Sequence, residues 1–116
     1  MSGFQVACLM SDIAPNTAKR IVLEGTPIAV VRADDGVFAV NDRCSHADVS
    51  LAEGEVDGCA IECWLHGSAF DLRTGRPLSL PAIEPVATYA VRVEGDGDDA
   101  VIQIDPTPLL VRTNAG

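Results

Sequence analysis

Cys44-Ser45-His46-Ala47-Asp48-Val49-Ser50-Leu51 and Cys63-Trp64-Leu65-His66-Gly67-Ser68-Ala69-Phe70-Asp71 are the two stretches that decide how this chain folds. Each begins with one thiolate and one imidazole, spaced C-x-H in the first and C-x-x-H in the second. Two cysteines on one iron and two histidines on a second is a donor set that suits a binuclear iron–sulfur cluster. Both of the chain's 2 histidines fall within the pattern. A single tetrahedral zinc accepts the same four ligands. The spacing, however, is not that of a finger, where C-x₂₋₄-C is followed by H-x₃₋₅-H. Four unrelated residues scattered in a core would require both histidines to land on ligand positions by chance.

The flanks extend the pattern. Asn41-Asp42-Arg43 leads into the first pair, and Leu51 follows its loop. Gly67-Ser68-Ala69-Phe70-Asp71 and Arg73-Thr74-Gly75-Arg76-Pro77 follow the second pair, and Leu80-Pro81-Ala82 supplies a proline loop. From about Phe4 to Ile104 the sequence resembles the Rieske [2Fe–2S] proteins. It is most similar to the small ferredoxins of bacterial ring-hydroxylating dioxygenase systems and to a related actinobacterial branch found beside Suf iron–sulfur assembly genes.

The resemblance implies one [2Fe–2S] cluster, with Cys44 and Cys63 on the inner, permanently ferric iron and His46 and His66 on the outer, redox-active one. Neutral imidazoles leave the oxidised cluster about two charges less negative than a four-cysteine cluster, which places Rieske potentials at roughly −150 to +300 mV. Ser68 matches a serine that donates to cluster sulfur in high-potential members, while Phe70 stands where those members have a tyrosine donor. Val49 and Leu65 stand where respiratory and photosynthetic members carry a disulfide that staples the loops. With one donor and no staple, a low potential is implied, below about +100 mV. Leu65 and Pro81 are expected to shield the cluster from water. Trp64 either shields it or forms part of a docking surface, since tryptophan favours half-wet interfaces.

The implied function is electron transfer. One electron comes from a flavin-dependent ferredoxin reductase and passes to a terminal ring-hydroxylating oxygenase. The alternative is an accessory protein linked to cluster assembly or redox regulation. A complete oxygenase needs a second, mononuclear iron on two histidines and a carboxylate. No histidine and no second domain remain to hold it, so an electron carrier rather than an enzyme is expected.

Composition agrees. At 116 residues the chain is one domain, set at 1–105 with a tail at 106–116. Hydrophobic residues make up 47% and mean hydropathy is +0.21, which argues for a folded globule. No apolar run approaches the roughly 18 residues of a membrane span, and Met1-Ser2-Gly3 lacks a signal peptide's basic region. A monomer in the cytoplasm, away from membranes, is expected. A net charge of −9, from 17 acidic and 8 basic residues, argues against nucleic acid as a partner. It serves either solubility or steering toward a basic protein. Glu94, Asp96, Asp98 and Asp99 read as a solvated turn. Of the remaining cysteines, Cys8 reads as a small buried hydrophobe in an apolar strand, and Cys59 follows Gly58 in a turn.

Strand signals dominate. Phe4–Met10, Arg20–Leu23, Ile28–Arg32 and Val37–Val40 are short aliphatic and β-branched runs, the last two joined by Asp34-Asp35-Gly36. Glu55-Val56 and Ala60–Glu62 flank Asp57-Gly58 in a hairpin leading into Cys63, and Ala69–Leu72 follows. Thr88–Glu94 and Ala100–Ile104 read as a last hairpin. At most one helical turn is expected, near Ser11–Ala14. The fold class is all-β: an antiparallel sandwich or barrel with a cluster-binding subdomain inserted at about residues 42–82.

Overall fold

The computed structural model describes residues 3–34, 36–43, 49–64, 68–78 and 85–109. Among the described residues ten strands follow one another: β1 (Gln5–Leu9), β2 (Thr17–Leu23), β3 (Thr26–Ala33), β4 (Gly36–Asn41), β5 (Glu55–Asp57), β6 (Ala60–Glu62), β7 (Ala69–Asp71), β8 (Thr88–Tyr89), β9 (Val91–Glu94) and β10 (Val101–Ile104). They form three sheets, ordered β2-β3-β4-β8, β1-β10-β9 and β5-β6-β7, in which every pair is antiparallel. The chain is all-β, as its strand signals indicate.

The middle of β3 explains the layering. Ile28, Ala29, Val30 and Val31 are all fully buried, an unbroken apolar run where a half-exposed strand would alternate. Successive side chains point to opposite faces, so both faces of β3 must be covered. Ile28 and Val30 join Cys8, Ile13, Ala39, Tyr89, Ile102 and Ile104 in one core, against the β1-β10-β9 sheet. Ala29, Val31 and Ala33 join Val40, Leu51, Ile61, Cys63, Phe70, Leu72 and Val86 in a second core, under the β5-β6-β7 sheet. The four-stranded sheet is thus the shared middle layer, with a sandwich partner on one side and the cluster-loop unit on the other.

Two expectations need correction. Residues 88–94 do not form one strand: Thr88–Tyr89 pairs with β4 and Val91–Glu94 pairs with β10. The chain crosses between sheets at Ala90, whose carbonyl accepts the Asp105 amide (3.1 Å). Thr88-Tyr89-Ala90-Val91 holds no glycine, proline or charged residue, so nothing in the sequence marks that switch. Beside the expected helical turn, found at Met10–Asp12, two further 3₁₀ turns occur at Leu51–Glu53 and Gly97–Asp99.

The hairpins β3–β4, β5–β6 and β9–β10 form as read from their turn residues. Beyond β10, Pro106 is buried and the Leu109 amide donates to the Thr88 carbonyl (2.9 Å). Residues 106–109 of the expected tail therefore lie along β8, and 110–116 fall outside the described residues. Glu94, Asp96, Asp98 and Asp99 are exposed, as a solvated turn requires.

Candidate metal centre

The first ligand loop leaves the middle sheet at the end of β4 and is pinned at both ends by Asp42. This carboxylate is buried and accepts three donors: Ser50 Oγ on Oδ2 (2.6 Å), Arg20 Nε on Oδ2 (3.1 Å) and the Ala52 amide on Oδ1 (2.9 Å). Its main chain is tied as well, with the Asp42 amide on the Pro27 carbonyl (3.0 Å) and the Leu51 amide on the Asp42 carbonyl (2.5 Å). An Arg43–Ser50 bridge closes the loop at its base. A carboxylate saturated with donors is the form in which a buried charge is tolerable. Buried Leu51 then plugs the loop into the second core, with Val49 packed beside it.

The second ligand loop is the tip of the β6–β7 hairpin. The Cys63 amide donates to the Ser68 carbonyl (2.7 Å), which closes the hairpin tip at its base. Cys63 and Ser68 are both fully buried, and Cys63 shares its core with Leu51 and Phe70. Phe70 pairs with Ile61 across the hairpin and bridges to Pro77 on its other side. Trp64, by contrast, is 52% exposed.

Tight backbone contacts hold this unit together. Gly75 has φ +79°, and a Cβ there would lie 2.0 Å from the Val86 carbonyl oxygen. Only glycine allows this turn to receive the Val86 amide on its own carbonyl (2.8 Å), which ties the unit to the segment that leads into β8. At Gly54 a Cβ would meet the Glu62 carbonyl oxygen at 1.7 Å, one residue before Cys63.

Of the residues singled out from sequence, Cys63, Trp64 and Ser68 are therefore placed at one hairpin tip. Cys44, His46, Leu65, His66 and Pro81 lie outside the described residues. Even so, the described parts suit a cluster bound by two thiolates and two imidazoles. The first ligand pair is borne on a loop clamped at both ends, Cys63 is oriented by its own hairpin closure, and both loop bases are rooted in one apolar core. Sequence reading missed Asp42, Ser50 and Arg20 as loop supports. Asp42 stood in the flanking motif, but Arg20 lies 22 residues earlier, and only the β2-β3-β4 register brings it near.

Outside this site, Cys8 is buried, and burial followed by the charge of Asp12 pushes its thiol up from its ordinary value, with Lys19 opposing. Cys59 is half-buried, and its carbonyl receives the Leu72 amide (2.9 Å).

Residues 3–90 match the Rieske [2Fe-2S] domain. The chain belongs to that family. Among relatives of this Rieske protein, "Ferredoxin CarAc" of Metapseudomonas resinovorans is 42% identical over 88 residues, covering 75% of this chain and 82% of the relative. The "3-phenylpropionate/cinnamic acid dioxygenase ferredoxin subunit" of Shigella flexneri serotype 5b (strain 8401) is 43% identical over 91 residues, covering 77% and 84%. A solved chain from the "complex of reduced oxygenase and oxidized ferredoxin in carbazole 1,9a-dioxygenase" superposes with a TM-score of 0.79 at 35% identity, covering 92% of this chain and 96% of that one. The Rieske chain is a ferredoxin, an electron carrier with one [2Fe–2S] cluster and not itself a catalyst. Among the described residues, no helix is long and apolar enough to cross a membrane.

Proposed function

We propose that Cys44 and Cys63 hold one iron of the cluster and His46 and His66 the other. The protein then takes one electron from a flavin-dependent reductase and passes it to a terminal ring-hydroxylating oxygenase. What carries this reading is the second loop: a fully buried cysteine at a hairpin tip, rooted in the same core as the clamped first loop. When bound, the cluster supplies a one-electron acceptor and donor in the Rieske range of roughly −150 to +300 mV.

The chain's own residues do the rest. Asp42 fixes both ends of the first loop, and the Cys63–Ser68 closure fixes the second, so neither has to reorganise when the charge between them changes. Leu51 and Phe70 keep water from the inner side. Leu65 and Pro81 are assigned the same shielding role from the outer side. Trp64 offers an aromatic, half-wet contact to a partner. The relatives support the oxygenase as electron acceptor, because two of them belong to dioxygenase systems. The assembly-linked alternative finds no such support. A monomeric, cytoplasmic protein of one domain, 1–105, with the subdomain at about 42–82, completes the reading.

Metal and sulfide analysis of the purified protein tests the ligand set. About two irons and two sulfides per chain, with a Rieske-type EPR signal on reduction, are expected. His46→Cys or His66→Cys should lower the midpoint wherever the cluster still assembles, since an anionic ligand replaces a neutral one. Colourless protein carrying one zinc would overturn the assignment, and an unchanged midpoint would remove that histidine from it. Turnover of an aromatic substrate in a reconstituted mixture of reductase, this protein and oxygenase tests the partners.

A further inference from the structure

Two polar side chains follow one another at the end of β4, one on each face of the middle sheet. Asn41 pairs with Ile28 across the sheet, so its side chain lies on the face of the sandwich core that Ile28 joins. Asp42, one residue on, faces the other way and clamps the loop through Ser50 and Ala52. Asn41 is half-buried and uses both ends of its amide. Its Oδ1 accepts the backbone amide of Arg43 (2.9 Å), the residue immediately before Cys44. Its Nδ2 donates to the Tyr89 hydroxyl (3.0 Å).

These two bonds fix each other. A backbone N–H can only donate, so the Asn41 oxygen must face Arg43 and its nitrogen must face Tyr89. Tyr89 pairs with Ala39 across β4 and β8. Its ring therefore lies on the same face as Asn41, two residues along the strand, within the diagonal reach of an aromatic side chain. That ring is buried in the sandwich core with Val30, Ile102 and Ile104. A side-chain bond from Asn to the amide two residues on is a device that turns the chain at the end of a strand. Here the device is anchored in the core on the far side of the sheet from the cluster loops.

We propose that Asn41 and Tyr89 are positioning residues for electron transfer. Through the Arg43 amide they fix the direction in which the chain leaves β4 for Cys44, and so limit how far the first ligand loop moves when the cluster gains or loses its electron. The proposal rests on the ligand set and function proposed above. A site held in place beforehand needs little rearrangement when its charge changes. Tyr89 acts only through Asn41, and neither side chain is assigned as a ligand. A hydroxyl in the opposite core thus governs how fast the electron moves without setting the energy level it moves from.

The test uses holo-protein reduced with dithionite and mixed by stopped flow with tris(phenanthroline)cobalt(III), which takes the cluster's one electron and becomes cobalt(II). So small an acceptor leaves partner docking out of the measurement. Tyr89→Phe keeps the ring and removes only the hydroxyl, and Asn41→Leu removes both bonds. Each should lower the rate constant by about twofold to tenfold, the span that one hydrogen bond covers. Each should also broaden the EPR lines of the reduced cluster, while the midpoint keeps its wild-type value. In the Asn41→Leu background Tyr89→Phe should change nothing further, the non-additivity of residues in one chain of contacts. A wild-type rate and linewidth in Tyr89→Phe overturn the proposal, whether or not Asn41→Leu folds. So do additive effects, which make Tyr89 a packing residue alone, and a shifted midpoint, which assigns the pair to cluster tuning. A wild-type protein with no Rieske-type signal fails the ligand assignment itself, and this role with it.

Discussion

Asp42 concentrates more of the site's geometry in one side chain than any residue read directly as a ligand. Its carboxylate gathers a hydroxyl, an amide and a guanidinium N–H from three separate points of the chain. Asp42→Ala strands the Ser50 hydroxyl and the Ala52 amide, both part-buried, and each such loss costs roughly 1–3 kcal/mol when solvent cannot replace the bond. Denaturant unfolding should show a drop of about 2–4 kcal/mol with unchanged slope, together with substoichiometric iron. Stability within 0.5 kcal/mol or so of wild type would mean that the clamp is dispensable. Cys8 gives a pH-dependent prediction. Its thiol is held above its ordinary 9.0 by burial and by Asp12, so the folded chain retains that proton more tightly than the unfolded one. Its contribution to stability is complete below 9.0 and lost as pH rises through the folded value. Unfolding midpoints from pH 7 to 10.5 should therefore decline less steeply in Cys8→Ala than in wild type. Phe70, fully buried beside Cys63 in the same core, has no hydroxyl to donate. Film voltammetry should accordingly place the midpoint below about +100 mV.

Turns and strands show what was legible in the sequence and what was not. Hairpins closed by Asp34-Asp35-Gly36 and Asp57-Gly58 could be read because their turn residues report local backbone conformation. The split between β8 and β9 could not, since Val86 through Val91 holds no glycine, proline or charged residue to mark it and only the sheet partners decide. The proposed ligand pairs stood out in the sequence as chemistry, yet the supports of their loops did not, because Arg20 and Pro27 meet Asp42 only through strand register and Ser50 only through closure of the loop. Gly75 was visible as a turn glycine, but its contact with Val86 was hidden in the fold. Gly75→Ala must shift a backbone carbonyl, whereas Gly25→Ala, at φ +80° with open space around it, bears only the left-handed penalty of about 1–2 kcal/mol. Thermal unfolding should rank Gly75→Ala well below Gly25→Ala, and equal melting temperatures would remove Gly75 from the unit's framework.

At the scale of the whole molecule, β3 contributes alternate side chains to both cores, so neither layer can come apart without exposing the other. Ile28→Val trims the sandwich core and Ile61→Val trims the core under the cluster loops, each by about 0.5–1.5 kcal/mol. Both should move one common unfolding transition, monitored by far-UV dichroism and by cluster absorbance together. Two separate transitions, with Ile61→Val shifting only the cluster absorbance, would show that the layers melt independently.

The entry and exit of the loop-bearing unit have a consequence for engineering. The Asn41 amide bonds the Ala87 carbonyl (2.8 Å), and Val40 pairs with Thr88 just beyond. In topological terms everything from Asp42 to Val86 is one long excursion between two rungs of a ladder. Closing such an excursion costs only about 0.6 kcal/mol more for each doubling of its length. The segment is thus an exchangeable cassette: a counterpart from a higher-potential relative could be spliced between Asn41 and Ala87, provided its underside fits the small apolar pavement of Ala29, Val31 and Val40. The redox character of the protein could then be replaced as a unit while its scaffold stays the same.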